Sequence, residues 1–323
     1  MQEKSTHFSP GQQFIIFIGM ALASVTLFSV IGFALLYPLF GINLLQTPDI
    51  LSELELPHVL KAMKFLQLIN ALGLFVVPSF LFAFLIHKKG NSYLKWNKGS
   101  NLVLFLIVPL LMLASQPLIN LSAEINKHLQ LPDFLKQVEI WMQRSENNAE
   151  VITKAFLAGT DLNTYLFNLF LIAVIPAVGE ELMFRGIFQR ILNDWTKNIH
   201  LAIWISAILF SAMHMQFYGF LPRMLMGALF GYIFYWSSSL WIPILAHFIN
   251  NALAVSLHFL MNKGFQIKFL EEIGTGNNAI FFVSCSTAII ILLLLQFYLL
   301  RKKEIISNEN DASIASEITS TLP

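Results

Sequence analysis

Eight apolar runs, each long enough to cross a bilayer, constrain this chain more than any other feature. A helix needs about 20 mostly apolar residues to span the hydrocarbon core. Runs of that kind lie at 12–40, 60–86, 101–121, 164–188, 199–217, 220–236, 239–261 and 278–300. They are continuous rather than alternating, so helices are expected and a β-barrel is not. The first run is too long for the apolar stretch of a signal peptide, about 7–15 residues, and reads as a retained span. Only 12% of the 323 residues are charged, against ~25% in a soluble domain. Lys+Arg (20) and Asp+Glu (19) nearly cancel, which leaves no basic stripe for nucleic acid. One cysteine, Cys285, excludes a disulfide scaffold. The expected fold class is all-α, a polytopic membrane bundle of about eight transmembrane helices in a lipid bilayer.

Four stretches follow along the chain. Residues 1–163 hold the N-terminal spans and one long connection, 123–163. In that connection Phe134, Leu135, Val138, Trp141 and Met142 recur at helical spacing behind Pro132-Asp133, as in a helix lying in the membrane interface. Residues 164–262 form a core unit, 263–303 the last span, and 304–323 a polar tail expected to be mobile. The positive-inside rule orients the spans. Lys88, Lys89, Lys95 and Lys98 share one connection, Arg190 and Lys197 mark another, and Arg301-Lys302-Lys303 follow the last span. Asp49, Glu53, Glu55, Glu271 and Glu272 fall on the other side, where Lys61, Lys64, Lys263 and Lys268 vote the opposite way. Both termini are therefore expected in the cytoplasm.

Ionisable groups inside spans are costly and point to function. They gather in one third of the chain. The fourth run ends VIPAVGEELMFRGIF, with Glu180, Glu181 and Arg185. Glu181 and Arg185 stand four apart and can pair on one helix face, while Glu180 is turned about 100° away and is free. Pro176 and Gly179 just upstream suggest a kink or a close helix contact. The fifth run carries His214, four residues after Phe210, and the seventh carries His247 and Asn251 at i and i+4. Asn250 is turned away from that pair and reads as a packing residue. Arg190 and Asp194 read as solvated charges at a helix end. Counted from the nearest turns at 1.5 Å per residue, Glu180, His214, His247 and Asn251 lie roughly 22, 28, 14 and 20 Å deep, which permits one shared site.

E-E-x-x-x-R (Glu180, Glu181, Arg185), F-x-x-x-H (Phe210, His214) and H-x-x-x-N (His247, Asn251) together resemble the CAAX-processing and bacteriocin-processing intramembrane protease family, also called the Abi or type II CAAX prenyl endopeptidase family. The likeness covers about residues 164–260 and makes 164–262 the catalytic core. It implies that Glu180 activates the attacking water with help from His214, that His247 and Asn251 stabilise the oxyanion, and that Glu181 and Arg185 support them. A base for water and donors where negative charge develops are what peptide hydrolysis requires. Members are often called metalloproteases, and Glu180, His214 and His247 would be the ligands if zinc were bound. Asn251 is a poor zinc ligand and there is no H-E-x-x-H, so no cofactor is required and Zn2+ is left open. The expected function is an intramembrane endopeptidase of a multi-pass bacterial cell-membrane protein, acting on a membrane-associated protein or peptide. The alternatives are an inactive immunity or scaffold member and, further off, a solute or ion pathway. No internal repeat supports the transporter reading. The residues leave substrate identity, prenylation and oligomeric state unread.

Overall fold

The computed structural model describes residues 8–86, 90–96, 101–129, 131–267, 269 and 272–321. Lys88, Lys89, Lys98, Lys268 and Glu271, used above for orientation, lie outside the described residues. Nine principal helices are named here: α1 Pro10–Phe40, α2 Pro57–Ile86, α3 Leu102–Lys127, α4 Lys136–Leu157, α5 Leu162–Thr196, α6 Ile199–Met213, α7 Phe217–Ser237, α8 Trp241–Asn262 and α9 Ala279–Thr321. No strand occurs among the described residues. The molecule is an all-α, multi-pass membrane bundle.

Among the described residues seven helices are long and apolar enough to cross a membrane. The helix in the expected span at 199–217 falls short of that length. Its helix stops at Met213 after 15 residues, about 22 Å of rise against a core of ~30 Å. Met215 adopts the left-handed region at φ 53, which no helix continues through. His214 therefore sits at the mouth of a turn rather than inside a full span. At the other extreme, α9 stays helical to Thr321, through the polar stretch read as a tail. No Gly or Pro interrupts 304–321, so the backbone meets no breaker.

Local chemistry sets the helix starts. Ser9 and Gln12 form a reciprocal capping box at α1, with Pro10 in the first turn. Asp161 caps α5 by accepting from Thr164 N at 2.9 Å, and hydrogen bonds from Thr164 hold its carboxyl below the ordinary aspartate range. The two largest apolar cores tie most of the helices together. One joins Phe17 of α1, Phe82 of α2, Phe184 and Phe188 of α5 and Phe210 of α6. Edge-on ring pairs, Phe17–Phe82 at 5.4 Å and Phe17–Phe188 at 5.2 Å, run through it. The other joins α3, α7, α8 and α9 around Leu111, Phe230, Ile242 and Phe297. Of the helices that carry the motifs, α5 and α6 belong to the first core and α8 contributes to both.

The amphipathic helix α4 crosses the end of the bundle where α5 begins and α6 stops. Ser145 Oγ donates to Met215 O at 3.1 Å, and Glu146 Oε2 accepts from Tyr218 N at 3.0 Å. The far end of α4 is fastened by Lys64, whose Nζ donates to Phe156 O at 2.9 Å and to Asn168 Oδ1 at 2.8 Å. Lys64 is only 6% exposed. Its weight in the orientation vote is thus removed, because its charge is met by oxygens and by the Phe156 and Phe167 rings.

Candidate functional site

The site grows out of irregularities in α5. Two π-helical turns, Leu169–Val174 and Leu182–Phe188, bracket a short α-helical stretch, Ile175–Glu181. Such turns rotate the side chains that follow and recur at functional sites. Gly179 meets α2 at a third π turn, Leu72–Val76. A Cβ on Gly179 would lie 2.9 Å from that of Phe75, so the close contact expected near Pro176-Gly179 is with α2. This approach buries the start of the E-E pair.

Glu181 is fully buried and is the hub. Arg185 Nη1 donates to its Oε1 at 2.7 Å, the pairing that the i,i+4 spacing predicts. The same oxygen meets His247 Nδ1 at 2.8 Å, a link between α5 and α8 that spacing could not reveal. Since a carboxylate only accepts, the His247 Nδ1–H is the donor. Its Nε2 then faces Glu180, 3.8 Å from Oε2. Glu180 is 9% exposed, and that buried oxygen has no hydrogen-bond partner. The two glutamates differ in employment: Glu181 accepts two bonds on Oε1 and leaves its buried Oε2 without one, whereas among the described residues no hydrogen bond reaches Glu180.

Arg185 spends its second arm on Gly227 O at 2.6 Å. One turn on, Gln189 Nε2 donates to Gly231 O at 3.2 Å. Gly227 and Gly231 form a small-xxx-small pair on α7, which lets backbones approach closely enough for side chains to reach carbonyls. The Arg185 guanidinium lies between the Phe210 and Phe230 rings, at 5.1 and 5.4 Å. Phe230 also stacks on His247, with centroids 5.3 Å apart at 28°. Gln189, Gly227, Phe230 and Gly231 were not singled out from sequence. The G-x-x-x-G spacing was the available signal.

His214 Nδ1 is bonded to Phe210 O at 2.9 Å, a carbonyl that can only accept, so Nε2 carries the lone pair. The Phe210 ring lies against both His214 and His247, at 5.1 and 5.9 Å. His214 stands within Coulombic reach of Glu180, His247 and Arg223. Among the described residues no hydrogen bond or ion pair joins it to Glu180 directly. Asn251 lies one turn beyond His247, where its Nδ2 donates to Ile172 O at 3.2 Å. Asn250 is not turned away: its Nδ2 donates to Asn251 Oδ1 at 3.2 Å. Arg190 is likewise not a solvated charge, since its guanidinium packs 4.3 Å from the Tyr93 ring centre. Burial drives the Tyr93 hydroxyl pKa up to about 12.

Among the described residues no three His, Cys, Asp or Glu side chains stand close enough together to hold a metal. Each histidine has its Nδ1 bonded, to Phe210 O in His214 and to Glu181 Oε1 in His247, which leaves Nε2 of each for a further ligand. Helices α3, α5 and α8 line an open hollow of about 360 Å³ with apolar side chains, among them Phe105, Val178, Trp241 and Phe248.

Residues 162–253 match the family described as type II CAAX prenyl endopeptidase Rce1-like. The uncharacterized protein YpbD of Bacillus subtilis (strain 168) is 26% identical over 89 residues, covering 26% of this chain and 42% of YpbD. The match thus spans less than half of that relative's length. No solved structure matches significantly. The resemblance carried by the three motifs is thereby shown over residues 162–253, the stretch that supplies Glu180, Glu181, Arg185, His214, His247 and Asn251: there the chain is similar to the type II CAAX prenyl endopeptidase Rce1-like family.

Proposed function

We propose that this protein is an intramembrane endopeptidase that hydrolyses a peptide bond of a membrane-associated protein or peptide. The observation that carries this reading is the asymmetry of the glutamate pair. Glu181 is tied to Arg185 and His247 through Oε1, whereas Glu180, 3.8 Å from His247 Nε2, takes no hydrogen bond among the described residues. A carboxylate without a bonded guanidinium is the better base for water, because such a partner favours the ionised form.

In the proposed reaction, water held by Glu180 and the Nε2 lone pair of His214 attacks the scissile carbonyl carbon. Its proton passes to Glu180. The carbonyl oxygen takes up the negative charge and is met by donors from His247 and Asn251. For His247 to donate from Nε2 while its Nδ1–H serves Glu181, the ring has to carry both protons. The C–N bond then breaks, and the proton on Glu180 moves to the departing amine. No metal enters these steps, so a chelator leaves the rate unchanged; loss of turnover in EDTA with recovery in zinc would refute that part. In this reading both termini lie in the cytoplasm, which counts the short α6 as an eighth crossing, and the membrane is a bacterial cell membrane. In a Cys285→Ala background, thiol labelling of Asn91→Cys from the inside and Leu45→Cys from the outside tests the orientation.

The deciding assay uses the purified protein in proteoliposomes with a fluorogenic farnesylated peptide and the same peptide without the lipid. Cleavage by the wild type and none by Glu180→Gln supports the reading. Equal cleavage by both proteins overturns it. Cleavage of both peptides would show that a prenyl group is not required.

A further inference from the structure

Asn251 is oriented by one backbone group and one side chain. Pro176 has no N–H to return to the carbonyl four residues before it, that of Ile172. That carbonyl belongs to the π turn Leu169–Val174, and Asn251 Nδ2 donates to it from α8 at 3.2 Å. A carbonyl can only accept, so the nitrogen of the Asn251 carboxamide has to face α5 and its oxygen the other way. The oxygen then meets Asn250 Nδ2 at 3.2 Å. A flipped Asn251 would set oxygen against oxygen at Ile172 and NH2 against NH2 at Asn250. Each bond therefore excludes the flip that would break the other.

We propose that Asn250 is a positioning residue: by donating to Asn251 Oδ1 it fixes the Asn251 carboxamide, so that the second Asn251 N–H stays presented to the oxygen that turns negative during attack. This rests on the proposed hydrolysis and adds to it a residue outside the three motifs. Without Asn250 the Asn251 oxygen loses its donor, and the amide keeps only one of its two restraints.

The test is a double-mutant cycle on the farnesylated peptide in proteoliposomes. Removing one oxyanion donor costs roughly 100-fold or more in kcat, which is the loss expected for Asn251→Ala. Asn250→Ala should lower kcat about 10-fold while KM stays within about twofold, because only the transition-state contact is loosened. The double variant should be no slower than Asn251→Ala alone, since Asn250 acts through Asn251. A further drop in the double variant equal to the drop in the single one overturns the proposal, as does an unchanged rate in Asn250→Ala. A second readout needs no turnover. In protein labelled with isotopic asparagine, the Asn251 side-chain amide signal, assigned by its loss in Asn251→Ala, should shift and broaden in Asn250→Ala; an unmoved signal refutes positioning. Asn250→Asp, isosteric and without an N–H to donate, replaces Asn250→Ala if that variant does not fold. Wild-type turnover untouched by Asn251→Ala would instead refute the oxyanion role of Asn251, and the amide signal would still decide the role of Asn250.

Discussion

Helices α1 and α5 both cross the bundle, yet they obey opposite rules. The most apolar window of α1 has a mean hydropathy of 2.5 with 11% of it buried, whereas that of α5 has 1.7 with 50% buried. The less hydrophobic helix is the more enclosed one. In water this would be backwards, but lipid tails are as apolar as a protein core and reward no inward-facing side chain. Helix α1 can expose Ile15, Leu22 and Val30 because bilayer covers them. Helix α5 carries Glu180, Glu181, Arg185 and Gln189, all buried, because each must find partners away from lipid. Polarity within a span thus marks the protein's interior, and the site occupies that interior.

The contrast breaks most readily at Glu180. Glu180→Gln should reduce turnover about 1,000-fold, within the range for loss of a general base, with no change in thermal unfolding midpoint, because the lost charge held nothing in place. A midpoint drop comparable to that of a Glu181 variant would make Glu180 structural. Glu181→Ala should act on both quantities. It leaves Arg185 buried without its carboxylate partner and releases His247, at a cost of about 3–5 kcal/mol. Unfolding in detergent and turnover should fall together, and Glu181→Gln should recover part of the stability. Full stability in Glu181→Ala would show that the buried hub is not what holds α5 to α7 and α8.

The same contrast explains what could be read from sequence. Length and apolarity located all the crossing helices, since one property, hydropathy, decides them. Glu180, Glu181, Arg185, His214, His247 and Asn251 were visible because lipid makes each polar exception expensive. The Glu181–Arg185 pair followed from a spacing within one helix. What spacing could not show was pairing between helices: His247 with Glu181, Arg185 with Gly227, Asn250 with Asn251. Those depend on the rotations that the π turns impose, and a π turn leaves no clear sequence mark beyond a nearby Pro176. The end of α6 at Met213 was missed for a similar reason. Apolar residues continue past it, and the left-handed Met215 is not a residue type that announces a turn.

Glycine substitutions sharpen the comparison at smaller scale. A Cβ on Gly231 would fall 2.8 Å from Ile203 Cγ2 and 3.0 Å from Gln189 Oε1. Gly231→Ala should therefore force α6 and α7 apart, costing about 1–3 kcal/mol as overpacking does. It should weaken activity by shifting Gly227 from Arg185. A stability equal to wild type would mean that the α6–α7 contact yields without strain.

Gly19 of α1 supplies the smallest effect and the most direct comparison. Nothing lies within 4 Å of a Cβ built there, and the residue sits mid-helix on the face of the exposed Ile15 and Leu22. In water, replacing a mid-helix glycine by alanine stabilises by about 0.5–1 kcal/mol, because the unfolded chain loses freedom. In a bilayer that gain shrinks, since an inserted but unpacked segment must already be helical to satisfy its backbone. Gly19→Ala should then change the unfolding midpoint by less than the equivalent of about 0.5 kcal/mol, the scatter of a neutral surface change. The two alanines differ by a single methyl group each, so the difference between them isolates enclosure from composition. If Gly19→Ala destabilised as much as Gly231→Ala, the outer face of α1 would have to be packed against protein rather than lipid, and the division between the two helices would fail.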